Sequence, residues 1–507
     1  MFNRKKIGKR CLAALLALSL CLTPVVQVNA ARTNGQVTAK TTAAKKAAKK
    51  SKNKKKLTPE QQREKELKKV YKMKIQSNQI KGWPKGPGTY GESGIVMDAG
   101  TGAILYAKNI DTHEYPASIT KVLTALVALE NGKMDDPVIF TKDCVSFIQP
   151  GDSSIGLKKG NKITLEQALY ATLLASANEA AYAVGANVGK NAGHDYNWFV
   201  QQMNVRCKEL GGNNSHFANT NGLHDPNHYT CARDMALIGR ELFKHPEFFK
   251  IVQTLNYTIP KSKTVEKHEF YQKHKMLWPG GSYYYKYAVG GKTGFTSDAL
   301  ATLITMAKKG DTKLVCVVMR THGRNIFPDT RHLFDYAFKN FKKTPVSGNE
   351  TSKDVGEILA DENSGYVMLP KGVKFSNLKM KMEVDKSMPS EATLTYTYRG
   401  NLVGSARAKL SQSYLDAHKA KVEPKSSAKN QSKVTKPGKT ERMIKNKVKK
   451  ILPEKIWKQL AAKYQQYGRT KSYELAGLAA VLFVLILLFI ARLIKMRRFK
   501  KKQKRKR

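Results

Sequence analysis

Acidic residues are what this chain is shortest of: 39 Asp and Glu stand against 90 Lys and Arg, a formal charge of +51 over 507 residues. A surplus of that size ordinarily suggests nucleic acid or an anionic surface, so the places where acids are missing decide its meaning. They are missing from the ends. Ala31 to Lys56 holds ten Lys/Arg and no acid, and Arg492 to Arg507 holds eleven and no acid. The charge therefore describes tails, not a folded basic face. Cysteine is also scarce. Of six, Cys144, Cys207, Cys231 and Cys316 lie outside the first thirty residues, and none stand at Cys-x-x-Cys spacing, which argues against a metal site. Two disulfides would be possible outside the cell, but a domain this large needs no staples, so buried free thiols are the better reading.

Long apolar runs are few, and each has a clear use. Arg4, Lys5, Lys6, Lys9 and Arg10 precede the apolar run Cys11 to Leu22 and then Val28-Asn29-Ala30, the pattern of a secretory signal peptide over residues 1–30. Cys21 is a poor lipid-attachment site, because Leu20 stands where a small residue is needed. An exported chain meets no DNA, which removes the nucleic-acid reading. Leu475 to Ala491 carries no charge and is followed by Arg492, Lys495, Arg497 and Arg498. It reads as a transmembrane helix over 475–494, with the basic tail 495–507 in the cytoplasm and the body outside. The protein is thus expected in the cell membrane, single-pass, with its body extracytoplasmic.

Between these ends, residues 31–90 read as a basic disordered arm followed by a charged helix from Thr58 to about Lys74, with Thr58 as N-cap and Pro59 at the first helical position. The main domain is expected over 91–341. Gly94 to Asp98 and Ala103 to Ala107 flank a Gly-containing turn, and a matching strand set appears at Lys292–Ser297, Ala299–Ala307 and Leu314–Arg320. Helical stretches fill the interval, as in Leu123–Leu129, Leu165–Val188 and Asp234–Phe243. This predicts an α/β (α+β) fold: one antiparallel sheet built from both ends of the domain, with a helical subdomain inserted. Alternating strands over 342–411, clearest at Thr393–Tyr398 before Arg399-Gly400-Asn401, predict a small all-β domain. Residues 412–470 are a basic linker in which Ile451 to Tyr464 fits an amphipathic helix on the membrane.

Three short patterns carry chemistry. Ser118-Ile119-Thr120-Lys121 puts a hydroxyl and an amine on one helical face. The same spacing occurs at Ser51, Ser376 and Ser426, but only Ser118 precedes an all-apolar stretch, Val122 to Leu129, that would desolvate the lysine and leave it a neutral base. Ser176-Ala177-Asn178 places polar groups within a small, apolar helical segment, and Lys292-Thr293-Gly294 lies on a strand. His224 and His228 have His-x-x-x-His spacing, yet Pro226 makes the segment a loop and no Glu follows the first His, so a structural loop is expected and no metal.

The ordered set of Ser118, Lys121, Ser176, Asn178, Lys292, Thr293 and Gly294 resembles that of the penicillin-recognising serine enzymes. Tyr115-Pro116-Ala117-Ser118, Asn221 to Tyr229, Thr230 to Asp234 and Tyr366 to Gly372 narrow the resemblance to the low-molecular-mass D-alanyl-D-alanine carboxypeptidases, over about Gly91 to Leu410. The resemblance implies a β-lactamase/transpeptidase-like fold and a cofactor-free, metal-free enzyme acting on peptidoglycan stem peptides, with β-lactams as covalent inhibitors. It implies Ser118 as nucleophile, Lys121 as its base, Ser176 as proton relay and Asn178 as the group orienting Lys121 and the substrate amide. Lys292 and Thr293 would meet the substrate carboxylate, Gly294 would let substrate approach, and the backbone N–H groups of Ser118 and Phe295 would form the oxyanion hole. Leu300 departs from the pattern, since relatives often have Gly there. Arg324 reads equally as a carboxylate ligand or a solvated loop charge.

A β-lactamase with the same motifs is the nearest rival, but no recognisable Glu-containing deacylation loop stands between Ser176 and Lys292. The other alternative is a non-catalytic scaffold holding anionic wall or membrane polymers through its basic segments. Truncation after Gly468 should release a soluble protein that still labels with fluorescent penicillin. Recovery of that form only with membranes would assign the anchor to Ile451–Tyr464 or to the N-terminal arm.

Overall fold

The computed structural model describes residues 57–361 and 364–419. The signal peptide, the arm up to Lys56, the linker beyond 419, Ile451–Tyr464 and the Leu475–Ala491 stretch lie outside the described residues, among which no helix is long and apolar enough to cross a membrane.

The first helix, α1 (Pro59–Tyr71), has Pro59 at its start, Glu60 in its first turn and Lys68 and Lys69 in its last, the charge order that suits the helix dipole. It ends three residues short of the Lys74 expected from sequence. A strand pair, β1 (Ser93–Asp98) and β2 (Ile104–Lys108), follows. A 3-10 turn at Ala117–Thr120 then leads into α2 (Lys121–Asn131). Next come β3 (Pro137–Ile139), α3 (Lys142–Val145), β4 (Lys162–Thr164) and α4 (Leu165–Tyr170). The helices α5 (Asn178–Asn191), α6 (Tyr196–Glu209), α7 (Ala232–Leu242) and α8 (Pro246–Val252) precede the hairpin β5 (Asn256–Ile259) and β6 (His268–Tyr271). Three long strands, β7 (Ala288–Thr296), β8 (Leu300–Lys309) and β9 (Thr312–Thr321), lead to α9 (Ile326–Asn340).

The main sheet has the order β2-β1-β9-β8-β7, every neighbour antiparallel. Its first two strands thus come from the front of the domain and its last three from the back, with the helices between them. Both faces are covered. Ile95 and Met97 join the cluster containing α2, α5 and α7, while Val96 joins the cluster containing α9. That alternation is the period of two that a strand must show when its sheet is sandwiched. Within the helical region all eight residues from Lys121 to Ala128 are buried, so α2 is the central helix its apolar sequence predicts.

One helix expected from sequence is really two. Leu165–Val188 is apolar enough to read as continuous, but the chain passes from α4 through a π-helical turn at Ala171–Ala175 and breaks at Ser176, which is left-handed at φ 64°. Composition gives no warning of this, because Ser176 is not Gly or Pro. A second difference lies at the front. Ile75 and Trp83 are buried, and the Trp83 ring lies 5.2 Å from Phe341 while its Nε1 donates to Leu105 O at 3.0 Å. The packed body therefore reaches back past Gly91; this irregular aromatic wedge has neither strand nor helix period, so it looks like linker.

The second sheet is built from β10 (Phe341–Pro345), β11 (Val355–Leu359), β12 (Tyr366–Pro370), β13 (Lys379–Val384), β14 (Glu391–Tyr398) and β15 (Asn401–Leu410), with α10 (Gln412–Lys419) after it. Its order is β10-β12-β15-β14-β13, with β11 also on β15. Tyr366 on β12 donates to Asp98 Oδ2 at 2.9 Å, tying this module to the tip of β1. All four described cysteines are free and buried.

Candidate active site

Three separate elements meet at one amine. Ser118 lies in the 3-10 turn and Lys121 is the first residue of α2, so the three-residue spacing brings Lys121 Nζ to 3.0 Å from Ser118 Oγ. The break at Ser176 lets α5 begin at Asn178, whose Oδ1 accepts from Nζ at 2.8 Å. Asn221 O, from the loop between α6 and α7, accepts from Nζ at 2.5 Å.

Small residues allow this convergence. Gly222 is left-handed at φ 81°, and a Cβ there would fall 1.9 Å from Ala117 O, so no other residue fits beside the turn that carries Ser118. Gly294 on β7 is as close: its Cβ would lie 2.9 Å from Ser118 N and 2.4 Å from Thr302 Oγ1. Since β7 is the edge strand of the sheet, its free side faces the cleft.

The turn itself is strained, with Ala117 at φ 51°. Its carbonyl accepts from Thr120 Oγ1 at 2.9 Å, and Thr120 Oγ1 lies 2.8 Å from His228 Nε2. His228 Nδ1 accepts from Ala218 N at 3.0 Å, which leaves Nε2 to carry the proton and donate to Thr120. Both ring nitrogens are thus used within the protein, and burial pushes the imidazole down to about 3, so it stays neutral. His224 points elsewhere, packing edge-on against Tyr115 with Nδ1 3.7 Å from Asp298. His228 is structural, as its loop sequence suggests, whereas His224 lines the cleft that holds Ser118. Among the described residues, Glu130, Glu241 and His245 bring ligand-type atoms together, but Arg206 Nη2 occupies that cluster at 2.8 Å from both glutamates.

Ser118, Ser176, Asn178, Thr293, Gly294 and Phe295 line a cleft of about 680 Å³, and Arg324 stands at the same cleft. Phe295 is 69 % exposed there, an unusual place for a large apolar ring. Lys121 and Lys292 lie behind this surface, at 0 % and 1 % exposure. Lys292 Nζ donates to Thr293 O at 2.8 Å. Burial, reinforced by the neighbouring Lys273 charge, pushes the Lys292 amine down to about 7. Burial first, then the charges of Lys292 and Lys273, hold Lys121 well below the ordinary lysine range, while Glu179 acts in the opposite direction. The same burial and charges disfavour the ammonium form of Lys121. In its neutral form the amine has two N–H groups and one lone pair, so with Asn178 Oδ1 and Asn221 O accepting the two donors the lone pair faces the Ser118 hydroxyl.

All eight sequence-derived site residues come together here. Sequence reasoning gave no role to Asn221, Lys273 or Glu179. Asn221 acts through its backbone carbonyl, which no side-chain pattern reports. Lys273 Nζ donates to Ser153 Oγ at 3.2 Å from the strand end after β6. Glu179 Oε1 accepts from Ser154 Oγ and Ile155 N, each at 2.7 Å, and so holds the loop whose Gly151, Asp152 and Ser153 form the far wall of the cleft. Its position directly after Asn178 was the available signal. Leu300, the departure noted in the sequence, opens β8 in the left-handed region at φ 55°, where glycine would sit without strain.

The family model of the D-alanyl-D-alanine carboxypeptidases, peptidase family S11, matches residues 84–323. The D-alanyl-D-alanine carboxypeptidase DacA of Haemophilus influenzae is 31 % identical over 315 residues, covering 58 % of this chain and 76 % of that protein. DacF of Bacillus subtilis, of the same description, is 30 % identical over 263 residues, 50 % of this chain and 64 % of that protein. The solved structure of the Streptomyces K15 DD-transpeptidase is 28 % identical, with a TM-score of 0.47, 50 % of this chain and 100 % of that one being covered.

The charges around Lys121 give a signed test. Lys273→Gln removes a like charge, so the amine protonates more readily and the acid limb of Ser118 acylation by benzylpenicillin should move to higher pH. Glu179→Gln keeps an oxygen for the loop but removes a negative charge, and the same limb should move to lower pH. Shifts of equal sign in the two variants would show that Lys121 is not the titrating base.

Proposed function

The chain belongs to the D-alanyl-D-alanine carboxypeptidase family, and we propose that it removes the terminal D-alanine from peptidoglycan stem peptides through an acyl-enzyme on Ser118. The observation that carries this reading is the Lys121 amine, buried and held by two carbonyl oxygens at 3.0 Å from the Ser118 hydroxyl. As Ser118 Oγ attacks the penultimate D-alanine carbonyl, its proton passes to Lys121 Nζ and an oxyanion forms. The Ser118 and Phe295 N–H groups face that oxygen, a preorganised pair of the kind worth roughly 10²- to 10³-fold in rate per donor. The C–N bond then breaks as the proton held by Lys121 passes through the Ser176 hydroxyl, beside Asn178 in the cleft, to the departing amine of D-alanine, which leaves Ser176 protonated and Lys121 free as a base again. Water deacylates the enzyme, giving its proton back through the same base and freeing the shortened peptide. No metal or cofactor takes part in these steps.

The substrate lies along the free edge of β7, its amide held by Asn178 and its carboxylate at Lys292 and Thr293. Lys292 is poised near neutrality, so an arriving carboxylate draws it to its charged form. β-Lactams acylate Ser118 in the same way and are held there. The two acids at the cleft are Asp152 and Asp298, and no glutamate lines it among the described residues, which disfavours the β-lactamase alternative.

The signal peptide and the basic residues after Leu475–Ala491 support export and a single-pass C-terminal anchor that holds the enzyme at the outer face of the membrane. The basic segments 31–56 and 419–450 suit contact with anionic wall or membrane polymers. These features fit an enzyme of cell-wall remodelling.

Two variants test the reading. Ser118→Ala should abolish penicillin labelling and D-alanine release while leaving the fold intact; a covalent penicillin adduct on that variant would overturn the assignment. Thr293→Val should lower turnover of a D-Ala-D-Ala peptide far more than turnover of the same peptide amidated at its C-terminus. Equal losses would mean that Thr293 shapes β7 and does not read the carboxylate.

A further inference from the structure

Helix α1 precedes the residues matched by the family, and little apolar surface explains its place. Of its thirteen residues only Val70 is buried, and an isolated helix of that length is marginal in water. Its position is set by polar contacts on one face. At its C-terminal end Lys108 Nζ donates to Val70 O at 2.8 Å while also holding Thr89 O at 2.8 Å and Gly91 O at 2.9 Å. The Tyr71 ring lies 4.9 Å from that of Tyr90.

Residues 63, 66 and 70 share that face by helical spacing, and the first two reach a different part of the molecule. Glu66 Oε2 lies 3.1 Å from His322 Nε2. The Arg63 guanidinium fills the space where a side chain on Gly323 would stand, since a Cβ there would come within 2.5 Å of Nη2. His322 and Gly323 begin the turn between β9 and α9, which Asn325 Nδ2 closes by donating to His322 O at 3.0 Å. Gly323 and Arg324 of this turn line the catalytic cleft. A polar helix from outside the catalytic core is therefore braced against the cleft wall.

We propose that α1 is a positioning clamp: Arg63 and Glu66 fix the His322–Asn325 turn so that this wall of the cleft is set before the stem peptide arrives. The clamp rests on the carboxypeptidase reading above. Its effect belongs in binding, because a wall ordered in advance spares the substrate the loss of freedom that ordering it would entail. The Ser118–Lys121 chemistry lies on other elements and should be untouched.

The test uses the full-length enzyme with Arg63→Ala, Glu66→Ala and Glu66→Gln, and with Glu64→Ala as control, since Glu64 pairs only along the helix with Lys68. Arg63→Ala and Glu66→Ala should each raise KM for a D-Ala-D-Ala peptide about two- to fivefold, the range expected of partly exposed pairs, with kcat and the melting temperature little changed. Glu66→Gln still offers His322 an oxygen and should restore KM, and Glu64→Ala should leave it unchanged. Amide deuterium exchange at 322–325 should quicken in the two alanine variants. Unchanged KM and unchanged exchange there would overturn the clamp, as would an equal rise in KM for Glu64→Ala. Absence of turnover in the unmodified enzyme would instead overturn the carboxypeptidase reading, and the exchange data would still decide whether α1 holds the turn.

Discussion

The site depends on keeping one lysine amine both dry and aimed. A buried ammonium would want three acceptors, and desolvation alone opposes its charge. Lys121 has two carbonyl oxygens and one hydroxyl about it; burial opposes its charged form, and in the neutral form its two N–H groups go to the carbonyls and its lone pair meets the Ser118 hydroxyl. Each of the three partners comes from a different stretch of chain. The turn of Ser118, the start of α5 and the loop at Asn221 must therefore meet to within a few tenths of an ångström, and much of the surrounding architecture follows from that. Gly222 exists to let its loop close on Ala117 O, and Gly294 to let β7 close on Ser118 N.

That convergence is held at the expense of backbone comfort. Ala117, Ser176 and Leu300 are all left-handed without being glycine, and a residue held in that region carries on the order of 1 kcal/mol or more of strain. Such conformations persist only where neighbours over-determine them. At Ala117 the neighbours can be named: its carbonyl is fixed by Thr120, Thr120 by His228, and His228 by the Ala218 amide. At Ser176 the strain swings the chain out of α4 so that Ser176 and Asn178 both face the cleft, which a continuous helix would forbid, since residues two apart on a helix face different ways.

This explains how much the sequence disclosed. The three motifs were legible because each is a short run of neighbouring residues, whatever elements it joins, and the order of strand sets around a helical interval follows from hydrophobic period alone. The break at Ser176 was not legible, because the strain there is imposed by tertiary contacts and leaves no Gly or Pro behind. Asn221 escaped because its contribution is a backbone carbonyl. Trp83 and Ile75 fall before the domain start expected near Gly91, because a wedge that packs by shape has no period for a pattern to find. His228 could be recognised as structural from Pro226 and the absent Glu, although the hydrogen-bond chain that it anchors could not.

The same geometry sorts the three lysines near the cleft by task. Burial and the nearby charges of Lys292 and Lys273 hold Lys121 well below the ordinary lysine range; Lys292 is nearly as dry, feels the charge of Lys273 beyond its own burial, and is pushed down to about 7. An incoming carboxylate at Thr293 then acts unequally on the two. On the proposed reading it would favour the charged form of Lys292, whose Nζ is bonded to Thr293 O, more than that of Lys121, which lies beside Ser118 on another element. Recharging Lys292 in turn keeps Lys121 neutral through like-charge repulsion at the moment its lone pair is needed. On that reading, binding of the anionic end of the substrate and readiness of the base would be one electrostatic event, and a ligand lacking that carboxylate would forfeit both.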